Sequence, residues 1–234
     1  MITRLGDSSL LAPAAVLVFC WLLYRRQTAK AGLWLLLFGF STTLVVGSKL
    51  AFMGWGIGIP NLNFTGFSGH SMLAGAVLPT LAAQLFTTRR AGLAAAALAA
   101  VIAVLVGLSR LAINVHSPSE VYAGLALGLG TSAAFLAATR AQLPAFHPAA
   151  LLLILALALG QTVTGVRAPT HQLLERIAAH LADRDQPFQR GQYGAVSRTS
   201  DPVVVRFSER GIRENPDIRM TGDFSLTVTL KITV

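Results

Sequence analysis

Ser109-Arg110-Leu-Ala-Ile-Asn-Val-His116-Ser-Pro-Ser-Glu120 joins two strongly apolar segments of this chain. Glu120 is the only acidic residue between Asp7 and Glu175. Burying an ionisable group at the centre of a bilayer costs on the order of 2.5–3.5 kcal/mol. Because this long region contains a single acidic residue, we expect Glu120 to have a function. His116 and Glu120, four residues apart, would share one face of a helical turn. A carboxylate there would orient the imidazole and support its cationic form, although a structural ion pair is the alternative interpretation.

The composition around this stretch is that of a membrane protein. The chain has 234 residues, of which 53% are hydrophobic and only 12% charged, and its mean hydropathy is +0.61. Residues 1–166 contain nine Lys/Arg and two Asp/Glu, whereas residues 167–234 contain ten Lys/Arg and eight Asp/Glu. We therefore expect two parts, a transmembrane domain over 1–166 and a polar C-terminal tail over 167–234. The sequence lacks a basic face interleaved with aromatic residues, so nucleic acid is not an expected partner.

The apolar segments predict an all-α integral membrane protein with about six transmembrane helices. Each is close to, or slightly shorter than, the ~20 residues that cross a hydrocarbon core, and helices satisfy their own backbone groups in lipid. The first follows a pattern that favours a retained span over a cleaved signal peptide, because Arg25, Arg26 and Lys30 come after the apolar run. The predicted spans are 9–24, 31–48, 71–87, 91–108, 121–139 and 148–165.

The connections between these segments predict the orientation. The short connections at 24–30, 88–90 and 139–140 together hold six Lys/Arg, so the positive-inside rule places them in the cytoplasm. The connections from 49 to 70 and from 109 to 120 then face outward, together with both termini. For a bacterial-type inner membrane, this places the candidate active site on the periplasmic face of a multi-pass protein.

The tail shows helix and strand patterns. Residues 171–181 have apolar positions at helical spacing and could lie on the membrane surface. Residues 191–201 are typical of a linker. Residues 224–234 alternate apolar and polar side chains, which predicts a strand that needs a partner, either residues 203–207 or another chain. No function for this tail follows from its sequence, and neither does the oligomeric state.

A second group of polar residues precedes the third apolar segment, in Thr65-Gly-Phe-Ser68-Gly69-His70-Ser. Backbone N–H groups at a helix N-terminus favour anions. Lys49 lies at the end of the preceding apolar segment and is a further cation, although it could merely extend to the membrane interface. Cations and several hydrogen-bond donors suit a phosphate, and two histidines suit nucleophilic and acid–base chemistry.

These motifs resemble the type 2 phosphatidic acid phosphatase (PAP2) superfamily, which includes lipid phosphate phosphatases and vanadium haloperoxidases. Its S-R-x5-H-x3-D motif is matched by Ser109, Arg110 and His116, with Glu120 in place of Asp. Its P-S-G-H motif is matched by residues 67–70, with Phe in place of Pro. Its K-x6-R-P motif is matched only at Lys49, because Gly56 stands where Arg is usual.

The resemblance implies a role for each matched residue. His116 would attack phosphorus, Glu120 would hold its far ring nitrogen, and His70 would protonate the leaving group. The equatorial oxygens would be stabilised by cations and donors, and neither a metal nor another cofactor is implied. The residues expected to bind the substrate phosphate are Lys49, Ser68, Gly69, Ser109 and Arg110.

The function implied is hydrolysis of a lipid phosphomonoester or pyrophosphate through a phosphohistidine intermediate, with a membrane lipid phosphate as substrate and the bilayer as partner. Candidate substrates are phosphatidate, phosphatidylglycerophosphate, undecaprenyl pyrophosphate and a lipid A phosphate. Loss of the first-motif Arg, by analogy with losing one oxyanion donor, would cost ~10²–10³ in rate unless another Arg, such as one from the tail, replaces it. The alternatives are a catalytically degenerate lipid-phosphate binding or transport protein, and a lipid phosphotransferase.

Overall fold

The computed structural model describes residues 8–113, 115–146, 170–184 and 186–190, and this part of the chain is helical. Chain contacts divide the protein into two units, residues 1–188 and 189–234. The predicted sixth span 148–165, the linker from 191 and the strand-like end all lie outside the described residues. The α-helices are α1 (Ser8–Tyr24), α2 (Thr28–Trp55), α3 (Gly69–Ala83), α4 (Arg89–Ala112), α5 (Pro118–Ala138) and α6 (Thr170–Leu181).

Five of the predicted apolar segments are confirmed as helices, but not all of them are long enough to cross a membrane by themselves. Three helices of the described part are long and apolar enough for this, namely α2, α4 and α5, while α1 is apolar but shorter. Helix α3 has 15 residues, about 23 Å at ~1.5 Å per residue, against a hydrocarbon core of ~30 Å. Six complete spans are therefore not confirmed.

Helix α3 is the core of the bundle, because α4 and α5 pack along it over most of its length. Its contact with α5 is backbone to backbone. A Cβ atom added to Gly128 would lie 2.2 Å from the carbonyl oxygen of Met72, and one added to Gly124 would lie 2.5 Å from that of Ser68. Gly124 and Gly128 form a G-x-x-x-G pair, the arrangement that permits close helix approach in membranes. This approach fixes the start of α3 against the start of α5.

Polar contacts join the remaining helices to this core. Trp34 in α2 is buried and donates its indole N–H to the carbonyl oxygen of Ala15 in α1, at 3.1 Å. The hydroxyls of Ser41 in α2 and Thr131 in α5 lie 2.6 Å apart in the buried interior. Each of these buried polar groups is paired with another, as the interior of a membrane protein requires.

The helix connections collect at two opposite ends of the bundle. We call residues 24–30, 84–90 and 139–146 the basic end, and residues 56–68 and 115–117 the site end. At the basic end, the indole N–H of Trp21 donates to Pro144 O at 3.2 Å, and the N–H of Phe146 donates to Gln84 O at 2.8 Å. The two motif-bearing connections meet at the site end, which confirms that they share one side of the bundle.

Helix α6 confirms the predicted amphipathic helix, and it packs against α2 at the site end. A Cβ atom on Gly54 would lie 3.4 Å from the carbonyl oxygen of Ala178. Ala178 is fully buried, whereas the apolar side chains at four-residue intervals are exposed: Leu173, Ile177 and Leu181. The position of this helix at a membrane surface stays a prediction, for which the exposed apolar stripe is a possible contact.

Candidate active site

The carboxylate of Glu120 is fully buried and accepts four hydrogen bonds. Its Oε1 accepts from both the N–H and the hydroxyl of Thr65. Its Oε2 accepts from the N–H of Ser117 at 3.2 Å and lies 2.8 Å from Nδ1 of His116. An ionised carboxylate has about four lone-pair sites, so the protein satisfies all of them at a depth where an unsatisfied charge would be costly.

This arrangement determines how the ring of His116 is presented. An ionised carboxylate can only accept, so Nδ1 must carry the proton of the bond to Glu120. In the neutral ring, Nε2 then has a free lone pair. The side chain of His116 is 16% exposed, in contrast to that of Glu120 at 0%. The ring is therefore anchored on one side and accessible on the other, as a nucleophile requires.

The connection to Ser117 is a capping box that begins α5. Ser117 is the N-cap residue, Pro118 follows at the first helical turn, and Glu120 is the third helical residue. The hydroxyl of Ser117 accepts the N–H of Glu120 at 3.4 Å, while the Glu120 carboxylate accepts the N–H of Ser117. The S-x-x-E signature of this box is visible in the sequence, but sequence analysis attached no role to Ser117. The box explains why Glu fits here, because the side chain must reach back to the N-cap.

Thr65 is the second residue that sequence analysis missed. It lies 55 positions before Glu120, in the loop between α2 and α3, and its contact with the carboxylate depends on the folding of that loop. The loop holds a short 3₁₀-helix, Pro60–Leu62, and an antiparallel bridge between Ile59 and Phe64. No local sequence pattern predicts the hydrogen bonds between Thr65 and Glu120.

The same loop is held against α2 beside Lys49. The N–H of Phe67 donates to the hydroxyl of Ser48 at 3.1 Å. Gly66 has φ +142°, and a Cβ atom there would lie 3.2 Å from Cγ of Lys49. A glycine is therefore favoured at this position both by its backbone conformation and by its close contact with α2. Lys49 lies inside α2, which continues past the predicted end at residue 48 to Trp55.

The start of α3 lies next to Glu120. The N–H of Ser68 donates to the carbonyl oxygen of Glu120 at 3.1 Å. Ser68 is the N-cap residue of α3, yet its hydroxyl makes no capping bond to the helix. It accepts instead from the hydroxyl of Ser71 at 2.9 Å. Gly69 and His70 are the first two residues of α3, so the structure brings the P-S-G-H-like segment to the residue that anchors His116.

Ser109 and Arg110 lie in the last turn of α4 and are partly buried. The hydroxyl of Ser109 donates to the carbonyl oxygen of Val106 at 2.6 Å. That proton is therefore used inside its own helix in this state. Arg110 is the one basic residue of that turn, where a cation also complements the negative end of the helix dipole.

The first-motif position that lacks Arg is covered by a segment from the C-terminal part of the chain. Gly56 ends α2 with φ +69°. A Cβ atom on Gly56 would lie 3.4 Å from the ring of Phe188, whose N–H donates to Met53 O at 2.8 Å. The guanidinium carbon of Arg184 lies 3.9 Å from the centroid of that ring. Arg184 thus stacks on the aromatic ring that covers Gly56, the position where the motif lacks an arginine.

The site end therefore has an anchored imidazole, a second histidine at the start of α3, and two neighbouring helices that carry cations, Lys49 in α2 and Arg110 in α4. Such a set can attack a phosphorus atom, donate a proton and bind anionic oxygens. Within residues 8–113, 115–146, 170–184 and 186–190, no group of three or more His, Cys, Asp or Glu side chains is placed to hold a metal ion.

Comparison with known proteins identifies the family to which this chain belongs. The PAP2 superfamily model matches residues 54–144, which include both histidines and Glu120. An uncharacterized 22.5 kDa protein from the cps region of Klebsiella pneumoniae is 42% identical over 200 residues, covering 81% of this chain and 94% of that protein. Phosphatidylglycerophosphatase B of Bacillus subtilis is 34% identical over 137 residues, covering 55% of this chain and 67% of that enzyme. No solved structure matches the chain significantly. The resemblance seen in the motifs is confirmed, and the chain belongs to the PAP2 superfamily.

Proposed function

We propose that this protein is a membrane phosphatase that hydrolyses a lipid phosphomonoester or pyrophosphate through a phosphohistidine on His116. The observation that carries the proposal is the set of four hydrogen bonds on the Glu120 carboxylate. They hold a buried acceptor against Nδ1 of His116, and this leaves Nε2 free to attack. A merely structural ion pair would not require the far side of the ring to be accessible.

In the first chemical step, the Nε2 lone pair of His116 forms a bond to phosphorus while the bond from phosphorus to the leaving oxygen breaks. The ring becomes cationic, and Glu120 stabilises that charge through Nδ1. His70 gives its proton to the leaving alkoxide or phosphate. In the second step His70, now neutral, accepts a proton from water, the water oxygen bonds to phosphorus, and the bond from nitrogen to phosphorus breaks. Inorganic phosphate is released and both histidines return to their starting states.

Negative charge on the equatorial oxygens needs preorganised donors, and the site end supplies several. The hydroxyl of Ser68 is buried and makes no capping bond, so its proton can be directed to a ligand, as can the N–H of Gly69 at the start of α3. Lys49 and Arg110 add positive charge from α2 and α4. Ser109 would join them only if its hydroxyl left Val106.

The site end is proposed to face outward from the inner membrane of a bacterial-type cell. The basic end carries six Lys/Arg at 24–30, 84–90 and 139–146, which the positive-inside rule places in the cytoplasm. The described residues on either side of the predicted span 148–165 lie at opposite ends of the bundle, since Phe146 bonds to Gln84 at the basic end and Ala178 packs on Gly54 at the site end.

Phosphatidylglycerophosphate is the first substrate to test, because one relative is a phosphatidylglycerophosphatase B. Purified protein in detergent should release phosphate from at least one substrate in a panel that also contains phosphatidate, undecaprenyl pyrophosphate and lipid A phosphate. His116→Ala should abolish release, whereas His180→Ala, a histidine exposed on α6, should retain it.

The absence of Arg at position 56 favours a second candidate, a lipid-phosphate binding protein without turnover. That candidate predicts that the folded protein binds a phosphorylated lipid and releases no phosphate from any member of the panel. Release that is lost in His116→Ala rejects it, and binding without release rejects the phosphatase.

A further inference from the structure

A polar cavity of about 390 Å³ lies at the basic end, away from the candidate active site. Its cationic lining comes from three places in the sequence, Arg25, Lys30 and Arg89. Lys30 donates to the carbonyl oxygen of Gln142, which also lines the cavity. Because Glu120 is the only acidic residue from 8 to 174, no carboxylate of the described helices α1 to α5 neutralises this charge. The cavity suits an anion.

An apolar groove of about 540 Å³ opens between α4 and α5. Small side chains form its floor, among them Ala96, Ala97 and Ala133. Arg89 and Arg140 line its end. The groove lies on two helices that are long enough to span a membrane, so an acyl chain can fill it. The arginines at its end place positive charge where the lipid head group would lie.

The polar cavity and the apolar groove are neighbours, because Arg89 and Ala141 line both. We propose that together they form a binding site for one anionic phospholipid of the membrane leaflet at the basic end. The phosphate of the head group contacts Arg89 and the cations beside it, and an acyl chain lies in the groove. Basic pockets between transmembrane helices are a known mode of anionic lipid recognition.

The adjoining groove distinguishes a lipid from a free anion as the occupant. Inorganic phosphate would bind the cations of the polar cavity and leave the apolar groove empty. A phospholipid would fill both, with its charged head group in the cavity and an acyl chain in the adjoining groove. The site is also independent of catalysis. Arg89 begins α4, while Arg110 of the candidate active site lies in its last turn, about 30 Å away at ~1.5 Å per residue.

The test uses full-length protein purified in neutral detergent and stripped of lipid. Native mass spectrometry measures the retention of phosphatidylglycerol and of phosphatidylcholine with the same acyl chains. Arg89→Gln removes a shared cation, and Arg90→Gln is its matched control, since Arg90 is exposed and lines neither cavity. Ala97→Phe fills the groove, and Ala94→Phe places the same ring on an exposed position of α4 outside it.

We expect wild-type protein to retain phosphatidylglycerol in preference to phosphatidylcholine. Arg89→Gln should weaken that retention about ten-fold, as for the loss of one charge-assisted hydrogen bond, and Ala97→Phe should also weaken it. Both controls should bind as the wild type does. Two results would overturn the proposal: equal retention of the two lipids, or equal effects of Arg89→Gln and Arg90→Gln. Full competition by inorganic phosphate, with no effect of Ala97→Phe, would also overturn it by assigning the cavity to a free anion.

Discussion

Nδ1 of His116 lies 2.8 Å from Oε2 of Glu120, and the carboxylate that holds the ring has no exposed surface. Hydrogen bonds from Thr65 and Ser117 therefore hold the Glu120 carboxylate in place before a substrate binds. Preorganisation of this kind is what makes an imidazole an efficient nucleophile, because the cost of orienting it is met in folding.

Glu120→Gln should preserve the shape of this site but remove its charge. Where the amide nitrogen replaces Oε2, it can accept from neither Ser117 nor His116 and donates instead, so the ring takes the tautomer that carries its proton on Nε2. By analogy with the amide substitution in serine protease triads, kcat should fall by roughly 10⁴. Steady-state phosphate release measures this, and a Glu120→Gln protein with near wild-type kcat would show that the carboxylate does not set the tautomer.

Thr65 should behave as a positioning residue. Thr65→Val keeps the backbone N–H bond and removes the hydroxyl bond to Glu120, a charged acceptor whose hydrogen bonds contribute about 1.5–3 kcal/mol. We expect kcat to fall roughly 10–100-fold with KM little changed, since Thr65 contacts the carboxylate that positions His116.

Thr65→Ser restores a hydroxyl and should recover most of the activity. If Thr65→Val instead raised KM at constant kcat, Thr65 would act on substrate binding and not through Glu120. A merely structural role would lower the folded fraction of Thr65→Val without changing kcat per folded molecule.

Much of this site could be predicted from the sequence, because its key spacings are local. The separation of His116 and Glu120 by one helical turn indicated their contact, and apolar runs located five of the helices. Thr65 could not be predicted, because its contact with Glu120 is set by how the loop after α2 folds. The position of Lys49 inside α2 was also missed, because this charged residue interrupts the apolar run, although Leu50, Phe52 and Met53 continue it towards the helix end at Gly56. The role of Ser117 could have been predicted from its S-x-x-E pattern.

The glycine contact that places α3 against α5 can be tested by two substitutions on one helix. Gly124→Ala would put a Cβ 2.5 Å from Ser68 O, whereas Gly130→Ala meets nothing within 4 Å. Gly124→Ala should destabilise the protein by about 1–3 kcal/mol through overpacking and displace Ser68 from Glu120. Gly130→Ala should be neutral or slightly stabilising. Thermal unfolding in detergent compares them, and equal stability of the two variants would contradict the packing described.

Arg184 is predicted to supply part of the charge that the first motif lacks. It lies over the ring of Phe188, which covers Gly56. Arg184→Gln should raise KM for the lipid phosphate by roughly ten-fold, the loss expected from about 1.4 kcal/mol of phosphate binding. Arg184→Lys should restore it only in part, because an ammonium cannot bind two oxygens in the fork geometry of a guanidinium.

The control for Arg184 is Arg176→Gln, an exposed arginine of α6. KM is measured for both variants in mixed micelles at constant ionic strength. This separates a specific contact of Arg184 with the substrate from the general attraction between a positively charged protein and anionic micelles. If both substitutions raise KM equally, Arg184 contributes only to the overall field.

The covalent bond proposed between phosphorus and His116 can be trapped in a rapid-quench experiment. Protein mixed with a substrate from the panel that it turns over is quenched at alkaline pH, where phosphohistidine survives, and its peptides are analysed by mass spectrometry. We expect a transient phosphoryl group on His116 that is absent in His116→Ala and much reduced in Glu120→Gln. Phosphate release without any phosphoryl group on His116 during turnover would contradict it.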